Sequence, residues 1–428
     1  MPQPLEGYRI IDMTEVWAGP MGTSLLGDLG AEVIRIESYP RASMTRPVQL
    51  ATMNPQQRAA IPGDPSRPWD LSTTYHLANR NKLGVALNVR HPRGRRLFER
   101  LISMSDAFVI GYSAGTIKRM GLDYESLRAL KPDLVMVSMP GWGERGPYQG
   151  YATLGSGLDA FSGHMHLRGY PDSDPTTTPA GVFHSDATGG LILAFAIMTA
   201  LHYRESSGKG QFIDLSQAEV LMTHLARPIL DWSMNQRVMP PQGNSDPAAC
   251  PHGAFPCKEE GSWVVIAART DEQWRALVKA MGEPSWAEDP SLQTLLGRLE
   301  QKERVERGVA EWTRTRQQEE ATAWLRAAGV PAGPVYDTPS LLNDRHLRER
   351  RFFVTSDHPP ANPYERADVI WRMSGTPSAS RIPTNNLGEH NREVFCGLLG
   401  LGDAEFEELM AESVIGDEYR PGAEIDSD

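Results

Sequence analysis

The stretch YRIIDMTEVWAGPMGTSLLGDLGAEVIRIE, residues 8–37, decides the fold class. Its first strand candidate, Arg9–Met13, and its last, Glu32–Glu37, are short runs rich in isoleucine and valine, and the helical stretch Met21–Leu29 lies between them. Strands that alternate with helices are typical of a parallel sheet with helices packed on it. The alternation continues to about residue 141 and predicts an α/β fold.

Three further strand candidates extend this pattern: Val85–Val89, Ala107–Ile110 and Leu134–Ser138. An amphipathic helix is expected over His91–Met104, with its apolar residues on one face. The segment Arg41–Asp70 is rich in proline, arginine and polar residues and has no periodicity. It is therefore expected to form a long excursion on the surface.

Beyond residue 141 the pattern changes to glycine-rich loops and longer helices, expected at 151–163, 186–204 and 217–234. A stretch rich in proline, glycine and asparagine, Met239–Gly253, has the composition of a linker. The predicted organisation is a large domain of residues 1–225 and 325–428, whose parallel sheet is built from both chain ends. Residues 226–324 are expected to form a smaller inserted α+β domain.

The composition of the chain argues against several classes of partner. Among 428 residues, 43 Lys and Arg face 54 Asp and Glu, a net charge of −11, which argues against a nucleic-acid partner bound by a basic field. Three cysteines are too few for a disulfide framework. The longest apolar run, Leu191–Leu201, is too short to span a bilayer, so no membrane partner is expected. Without a signal-peptide pattern at the N-terminus, a cytoplasmic location is expected.

No local spacing predicts a metal site or a serine hydrolase. Neither CxxC nor HExxH occurs. The adjacent residues His184, Ser185 and Asp186 cannot face one another as a catalytic triad, and no GxSxG elbow is present. The clusters that carry possible metal ligands are His164-Met-His166, Cys250-Pro-His252 with Cys257, and Glu389-His390.

Asp186 precedes an apolar helix and allows two interpretations. The simpler one, favoured by the pattern alone, makes Asp186 the N-cap of that helix. In the functional one, the positive helix end keeps the carboxylate ionised, and the small residues Ala187, Gly189 and Gly190 leave room for a bulky group beside it. A carboxylate in such a place can act as a covalent nucleophile.

The ordered set of motifs resembles the class III CoA-transferases of the CaiB/BaiF type, including formyl-CoA transferase. The resemblance covers about residues 4–410. Its motifs are Pro4-Leu-Glu-Gly-Tyr-Arg-Ile-Ile-Asp12, Ala18-Gly-Pro20, Leu26-Gly-Asp-Leu-Gly-Ala31, Val33-Ile-Arg-Ile-Glu37, Asn79-Arg-Asn-Lys82, Lys118-Arg-Met-Gly-Leu122, Gly181-Val-Phe-His-Ser-Asp186, Gly208-Lys-Gly-Gln211, Gly329-Val-Pro-Ala-Gly-Pro-Val335 and Leu387-Gly-Glu-His390.

This resemblance implies a Rossmann-like large domain, a small domain, and two ring-shaped chains interlocked as a dimer. It also implies that Asp186 attacks the thioester of an acyl-CoA donor. An aspartyl anhydride and an aspartyl-CoA thioester would then carry the CoA to a free carboxylic acid. No permanently bound cofactor and no metal is implied, since the CoA thioester is the substrate.

The same resemblance implies a CoA site near Ala18, in the loop after the first strand. Arg35, Lys82 and Arg119 are candidate partners of the CoA phosphates, and Tyr112 is expected near the adenine or the pantetheine. Cationic side chains suit these phosphates.

Two alternatives remain open. The fold is shared with α-methylacyl-CoA racemases, but the stretch Leu154–Asp159 lacks the histidine that their acid–base pair requires. The other alternative is a non-catalytic CoA-binding subunit of a heteromer with a homologous chain, against which the retention of Asp186 speaks.

Overall fold

The computed structural model describes residues 2–46, 63, 66–173 and 184–419. The chain divides into two compact units. The first comprises the described residues of Met1–His164, Ala180–Asn235 and Phe352–Asp428, and the second those of Met165–Pro179 and Gln236–Arg351.

A six-stranded sheet forms the centre of the first unit. Its order is β3-β2-β1-β4-β5-β6, every neighbouring pair is parallel, and this is the Rossmann strand order. The α/β prediction is confirmed. The strands are β1 (Arg9–Met13), β2 (Glu32–Ser38), β3 (Lys82–Leu87), β4 (Ala107–Ile110), β5 (Val135–Ser138) and β6 (Gln211–Asp214).

Both faces of this sheet are buried, which explains why its strands are apolar runs rather than alternating ones. Ile11, Ile34 and Phe108 contribute to the core on one face, while Ile10 and Val33 contribute to the core on the other. Helices cover both faces. The helices of this unit up to residue 235 are α1 (Ala18–Asp28), α2 (Thr73–Ala78), α3 (Pro92–Ser103), α4 (Ala114–Arg119), α5 (Tyr124–Arg128), α6 (Gly155–Phe161), α8 (His184–Ser207), α9 (Gln217–Thr223) and α10 (Ala226–Asn235). Helix α7 (His164–Arg168) begins in this unit, and its other residues belong to the second.

The expectation that both chain ends supply strands to the parallel sheet is wrong for the described residues. All six strands lie between residues 9 and 214. The strands Phe353–Ser356 and Tyr364–Ala367 pair only with each other, antiparallel. The C-terminal residues instead complete the core through a π-helix, Glu393–Leu398, whose Phe395 is fully buried.

Most described residues at the ends of the expected surface excursion are buried or half-buried, contrary to the prediction, although Met44 and Ser66 are exposed. Arg46 is 1% exposed, and its guanidinium forms ion pairs with Glu37 and Asp70. A long-range pairing of this kind leaves no periodicity in the sequence. Residues 47–62, 64 and 65 of that segment lie outside the described residues.

A three-stranded antiparallel sheet, β7-β8-β9, organises the second unit. Strand β9 pairs with β8, so residues beyond 325 belong to this unit, and α10 belongs to the first. The unit boundaries therefore differ from those expected at 225 and 324. Its elements are β7 (His252–Pro256), β8 (Trp263–Ala267), β9 (Ala332–Pro334), α11 (Asp271–Ala280), α12 (Leu295–Glu300), α13 (Lys302–Thr313), α14 (Gln318–Ala327), α15 (Thr338–Leu342) and α16 (Arg345–Glu349); α17 (Asp403–Ala411) lies in the first unit.

Helix α8 is the one described helix whose length and composition would allow it to cross a membrane. Half of its most apolar window is buried inside the protein. Its buried residues Leu193 and Ile197 belong to the core between the sheet and α1. Burial on one side is the behaviour of a core helix.

Candidate active site

A cavity of about 150 Å³ opens beyond the carboxyl ends of β1, β4 and β5 in the first unit. The strand order reverses between β1 and β4, and ligands of open α/β sheets bind at such a switch point. The lining residues are Thr14, Glu15, Val16, Ala18, Gly19, Gly111, Met139, Gly141, Thr153, Leu154, Gly155, Leu158, Asp186 and Gln217.

Asp186 lines this cavity and is only 6% exposed. It is the third residue of α8 as described, so it lies inside the first turn and the simple N-cap interpretation is wrong. Its carboxylate accepts a hydrogen bond from the backbone N–H of Ala18, at the first turn of α1. Burial raises the pKa of Asp186 to about 6, against the lowering effect of the Ala18 N–H. At neutral pH the carboxylate is mostly ionised, as a nucleophile requires.

Close packing of α1 on α8 brings Ala18 and Asp186 together. A Cβ on Gly22 would lie 2.6 Å from the carbonyl oxygen of Gly190, and a Cβ on Gly190 would lie 2.8 Å from that of Ala18. The two glycines thus allow the helix backbones to touch. The space at Gly190 is taken by α1, not by a ligand, which corrects the expectation for this residue.

Lys82 is buried beneath the cavity and does not face solvent. Its ammonium donates to Asp12 Oδ2 at 2.9 Å, to the carbonyl of Pro20 at 2.8 Å and to Asn79 Oδ1 at 2.9 Å. These bonds use all three of its donors. Burial lowers the pKa of Lys82 to about 7, against the opposing effect of Asp12. The structure therefore contradicts the expectation that Lys82 binds a CoA phosphate.

Arg35 is likewise fully buried and holds the turn between β1 and α1. Its Nη1 donates to the carbonyl of Thr14 at 2.8 Å and lies 3.5 Å from Asp12 Oδ2. Asp12 in turn accepts from the Thr14 and Thr23 side chains. Arg35 and Lys82 keep the pKa of Asp12 well below its usual range, although burial acts in the other direction. Arg35 thus fixes the cavity wall from below and is not a phosphate partner in this geometry.

Tyr112 and Arg119, in contrast, line open cavities. Tyr112 borders a cavity of about 230 Å³ at the carboxyl ends of β1, β2 and β3. Arg119 borders a wider cleft of about 820 Å³, to which Lys118 and Arg90 add positive charge. Arg90 and Met120 line both spaces, so the two are neighbours.

Two of these lining residues were missed by the sequence reasoning. Two residues separate Arg90 from the end of β3. Ligands of α/β sheets bind beyond the carboxyl ends of the strands, so this position could have indicated Arg90 as a site residue. Glu15 lines the cavity of Asp186 and accepts from the hydroxyl of Ser43. Burial raises the pKa of Glu15.

The chain matches a known protein family over most of its length. Residues 5–391 match the model of CoA-transferase family III. The chain is 30% identical to the succinyl-CoA–D-citramalate CoA-transferase of Chloroflexus aurantiacus over 97% of its own length and 98% of that protein. It is 31% identical to the succinyl-CoA–L-malate CoA-transferase β subunit of the same organism, covering 96% of this chain and 98% of that one.

A solved structure has the same fold. The crystal structure of a CaiB/BaiF family protein from Brucella suis superposes with a TM-score of 0.82 at 28% identity, over 93% of this chain and all of that one. The family match spans most of the chain and confirms the resemblance drawn from its motifs. The protein is therefore a member of CoA-transferase family III.

Proposed function

We propose that the protein transfers CoA from an acyl-CoA donor to a free carboxylic acid through covalent intermediates on Asp186. The observation that carries this proposal is the Asp186 carboxylate, which lines the switch-point cavity and accepts the Ala18 N–H. Family membership sets the reaction class, and the position of this carboxylate nominates the nucleophile.

In the proposed mechanism an Asp186 oxygen attacks the thioester carbonyl of the donor, and the C–S bond breaks. This gives a mixed anhydride and CoA thiolate. The thiolate attacks the aspartyl carbonyl of the anhydride, which releases the donor acid and leaves an aspartyl-CoA thioester. The acceptor carboxylate attacks that thioester to form a second anhydride, and the thiolate then attacks the acceptor acyl carbon and regenerates Asp186.

The Ala18 N–H has a second use in this scheme. The aspartyl carbonyl becomes an oxyanion each time the thiolate or the acceptor adds to it. A backbone N–H at a helix N-terminus stabilises such a charge. Ala18, expected from the sequence as a CoA-site residue, is thus proposed to orient the carboxylate and to support its tetrahedral intermediates.

CoA is proposed to extend from this cavity past Tyr112 into the cleft that Arg119 borders. The cleft carries Arg90, Lys118 and Arg119, which suits the phosphates of the nucleotide end. Arg95 also borders it, but its guanidinium is used by Glu99 and by the carbonyls of Met120 and Gly121. Cationic side chains matter here because the protein carries a net charge of −11.

Succinyl-CoA is the proposed donor and a dicarboxylic acid the proposed acceptor. Both curated relatives named above are called succinyl-CoA transferases, and their other substrates, D-citramalate and L-malate, are dicarboxylates. A screen of dicarboxylic and monocarboxylic acids with succinyl-CoA and acetyl-CoA, read by mass spectrometry, identifies the pair. We expect no transfer to monocarboxylic acids that have the same number of carbon atoms as the dicarboxylic acceptor.

The protein is also proposed to work in the cytoplasm, as an interlocked homodimer or with a homologous subunit, with an inserted second domain. Apolar side chains of α8 and α10, including Phe195, Ile229 and Trp232, are at least half exposed in the single chain. Ile229 and Trp232 lie one turn apart on α10, and exposed apolar side chains grouped in this way are typical of subunit contacts. One relative is named as a β subunit, which supports the heteromeric form.

Replacement of the nucleophile tests the reaction. Asp186→Asn and Asp186→Ala should lower the rate of CoA transfer by at least ~10³-fold, because the covalent route is lost. Glu205→Gln removes a carboxylate from the other end of the same helix and should keep wild-type turnover. Wild-type rates in both Asp186 variants would refute the proposal.

A further inference from the structure

Next to the proposed nucleophile, the first unit brings together three side chains from separate parts of the sequence. Asp159 lies on α6, His164 begins α7 and His184 begins α8. One potential ligand atom of each lies within 4.8 Å of the others. The sequence pattern pointed elsewhere, to His164 with His166, because only local spacing is visible in it.

The carboxylate of Asp159 has no conventional partner. The residue is 1% exposed, and neither of its oxygens accepts a hydrogen bond from the described residues. The ring of His164 lies nearby, with its Nδ1 3.7 Å from Asp159 Oδ2, too far for a hydrogen bond. A buried carboxylate left in this state is costly unless a positive charge joins it.

The geometry suits a cation between these groups. Zinc binds imidazole nitrogen and carboxylate oxygen at about 2.0–2.2 Å, so two ligands of one ion lie at most roughly 4.2 Å apart. The separation of 3.7 Å between Asp159 and His164 is within that limit. The ring of His184 packs edge-on against that of His164, with 4.5 Å between centroids. Because His184 is exposed, rotation of its side chain can bring the third ligand closer.

The surrounding backbone holds two of the elements in place. The hydroxyl of Ser185 donates to the carbonyl of Gly155 at 3.2 Å, which joins the starts of α8 and α6. Gly163, at φ +85°, makes the turn that brings His164 back toward Asp159. Two of the three ligands, Asp159 and His184, therefore lie on helices that pack against each other.

We propose that Asp159, His164 and His184 bind one divalent metal ion of the zinc class beside the active site. Two imidazoles and one carboxylate favour zinc or cobalt over magnesium and calcium, which prefer oxygen ligands alone. Three protein ligands leave a fourth position open to water or to a carboxylate.

Cobalt binding tests the site without reference to CoA transfer. The full chain, stripped with a chelator and dialysed, is titrated with cobalt(II) chloride and followed by visible absorption. We expect about one cobalt per chain, with the d–d bands of a low-coordinate site, and displacement by zinc chloride. Wild-type protein that shows no such bands would overturn the proposal.

Variants separate this site from binding elsewhere. His184→Ala should lower the cobalt affinity by at least ~10-fold. Removal of a residue that hydrogen-bonds to a metal ligand already lowers metal affinity by that factor, and removal of the ligand itself should lower it at least as much. Asp159→Asn should do the same. His166→Ala, an exposed histidine on α7, is the matched control and should bind as the wild type does. Circular dichroism checks that each variant is folded, and unchanged affinity in folded His184→Ala would refute the assignment.

Discussion

Asp186→Asn should make the folded protein more stable as well as inactive. Burial raises the pKa of Asp186 from 3.8 to about 6, so the native state binds this proton more tightly than the unfolded chain does. The contribution of Asp186 to stability is therefore lost as the pH rises from about 4 to about 6. At about 1.4 kcal/mol per pKa unit, the ionised carboxylate costs about 3 kcal/mol at pH 8 and roughly half of that at pH 5.

Asparagine keeps the shape and can still accept the Ala18 N–H, but it carries no charge. The variant should exceed the wild type by about 3 kcal/mol at pH 8, and by about half of that at pH 5. At roughly 2 °C per kcal/mol, these differences are about 6 °C and about 3 °C in the melting midpoint. Differential scanning calorimetry of both proteins at the two pH values measures them. A variant less stable than the wild type at pH 8 would refute this reasoning, and so would a stability difference that increases toward pH 5. Either result would show that the ionised Asp186 carboxylate does not destabilise the folded protein.

Four further outcomes are expected. The kcat/KM of transfer should fall about tenfold per pH unit below about pH 6, because protonated Asp186 cannot attack; a flat profile down to pH 5 argues against it. Arg119→Ala should raise the KM for acyl-CoA several-fold with little change in kcat, and equal KM values at low salt would remove Arg119 from the site. Lys82→Met should destabilise the fold by about 1–3 kcal/mol because it removes the nearer of the two cations that face buried Asp12 and leaves only Arg35, at 3.5 Å; urea unfolding measures this, and a wild-type midpoint would contradict the ion pair. Gly22→Ala should cost about 1–3 kcal/mol and lower kcat, since its Cβ would meet Gly190 at 2.6 Å; unchanged kcat and stability would contradict the close packing of α1 on α8.

Five strands of the parallel sheet could be predicted because they are largely buried on both faces and are therefore short apolar runs. The edge strand β6 has no fully buried residue and was not among the expected strands. Strand β1 was found with its observed bounds. Strand β3 begins at Lys82 instead of Val85, since a lysine paired with Asp12 can occupy a buried strand. The order of the six strands depends on pairing between distant segments. The sequence of a single strand does not indicate which strand lies beside it.

Charged residues were the least predictable part of the site. Lys82 and Arg35 looked like cations available to a phosphate, but both are used by Asp12, which lies 70 and 23 residues earlier in the chain. A single sequence does not reveal such pairings. Arg119 could be identified by its motif and does border an open cleft. Whether a lysine or arginine side chain is available to a ligand depends on its contacts with distant segments, which form only in the folded protein.

Asp186 could be proposed as a nucleophile from its place before a buried helix, whereas its contacts could not be predicted. The pattern could not reveal that the Ala18 N–H comes from another helix, because Gly22 and Gly190 allow that approach over 168 residues of chain. The same limit hid the grouping of Asp159 with two histidines.

Chemical trapping on the protein tests the central claim most directly. Wild-type protein is mixed with succinyl-CoA, quenched with hydroxylamine, digested and analysed by mass spectrometry. The account predicts a hydroxamate on Asp186, absent when the donor is omitted and absent in Asp186→Asn. An unmodified Asp186 during full turnover, or a hydroxamate on Glu15 instead, would contradict it.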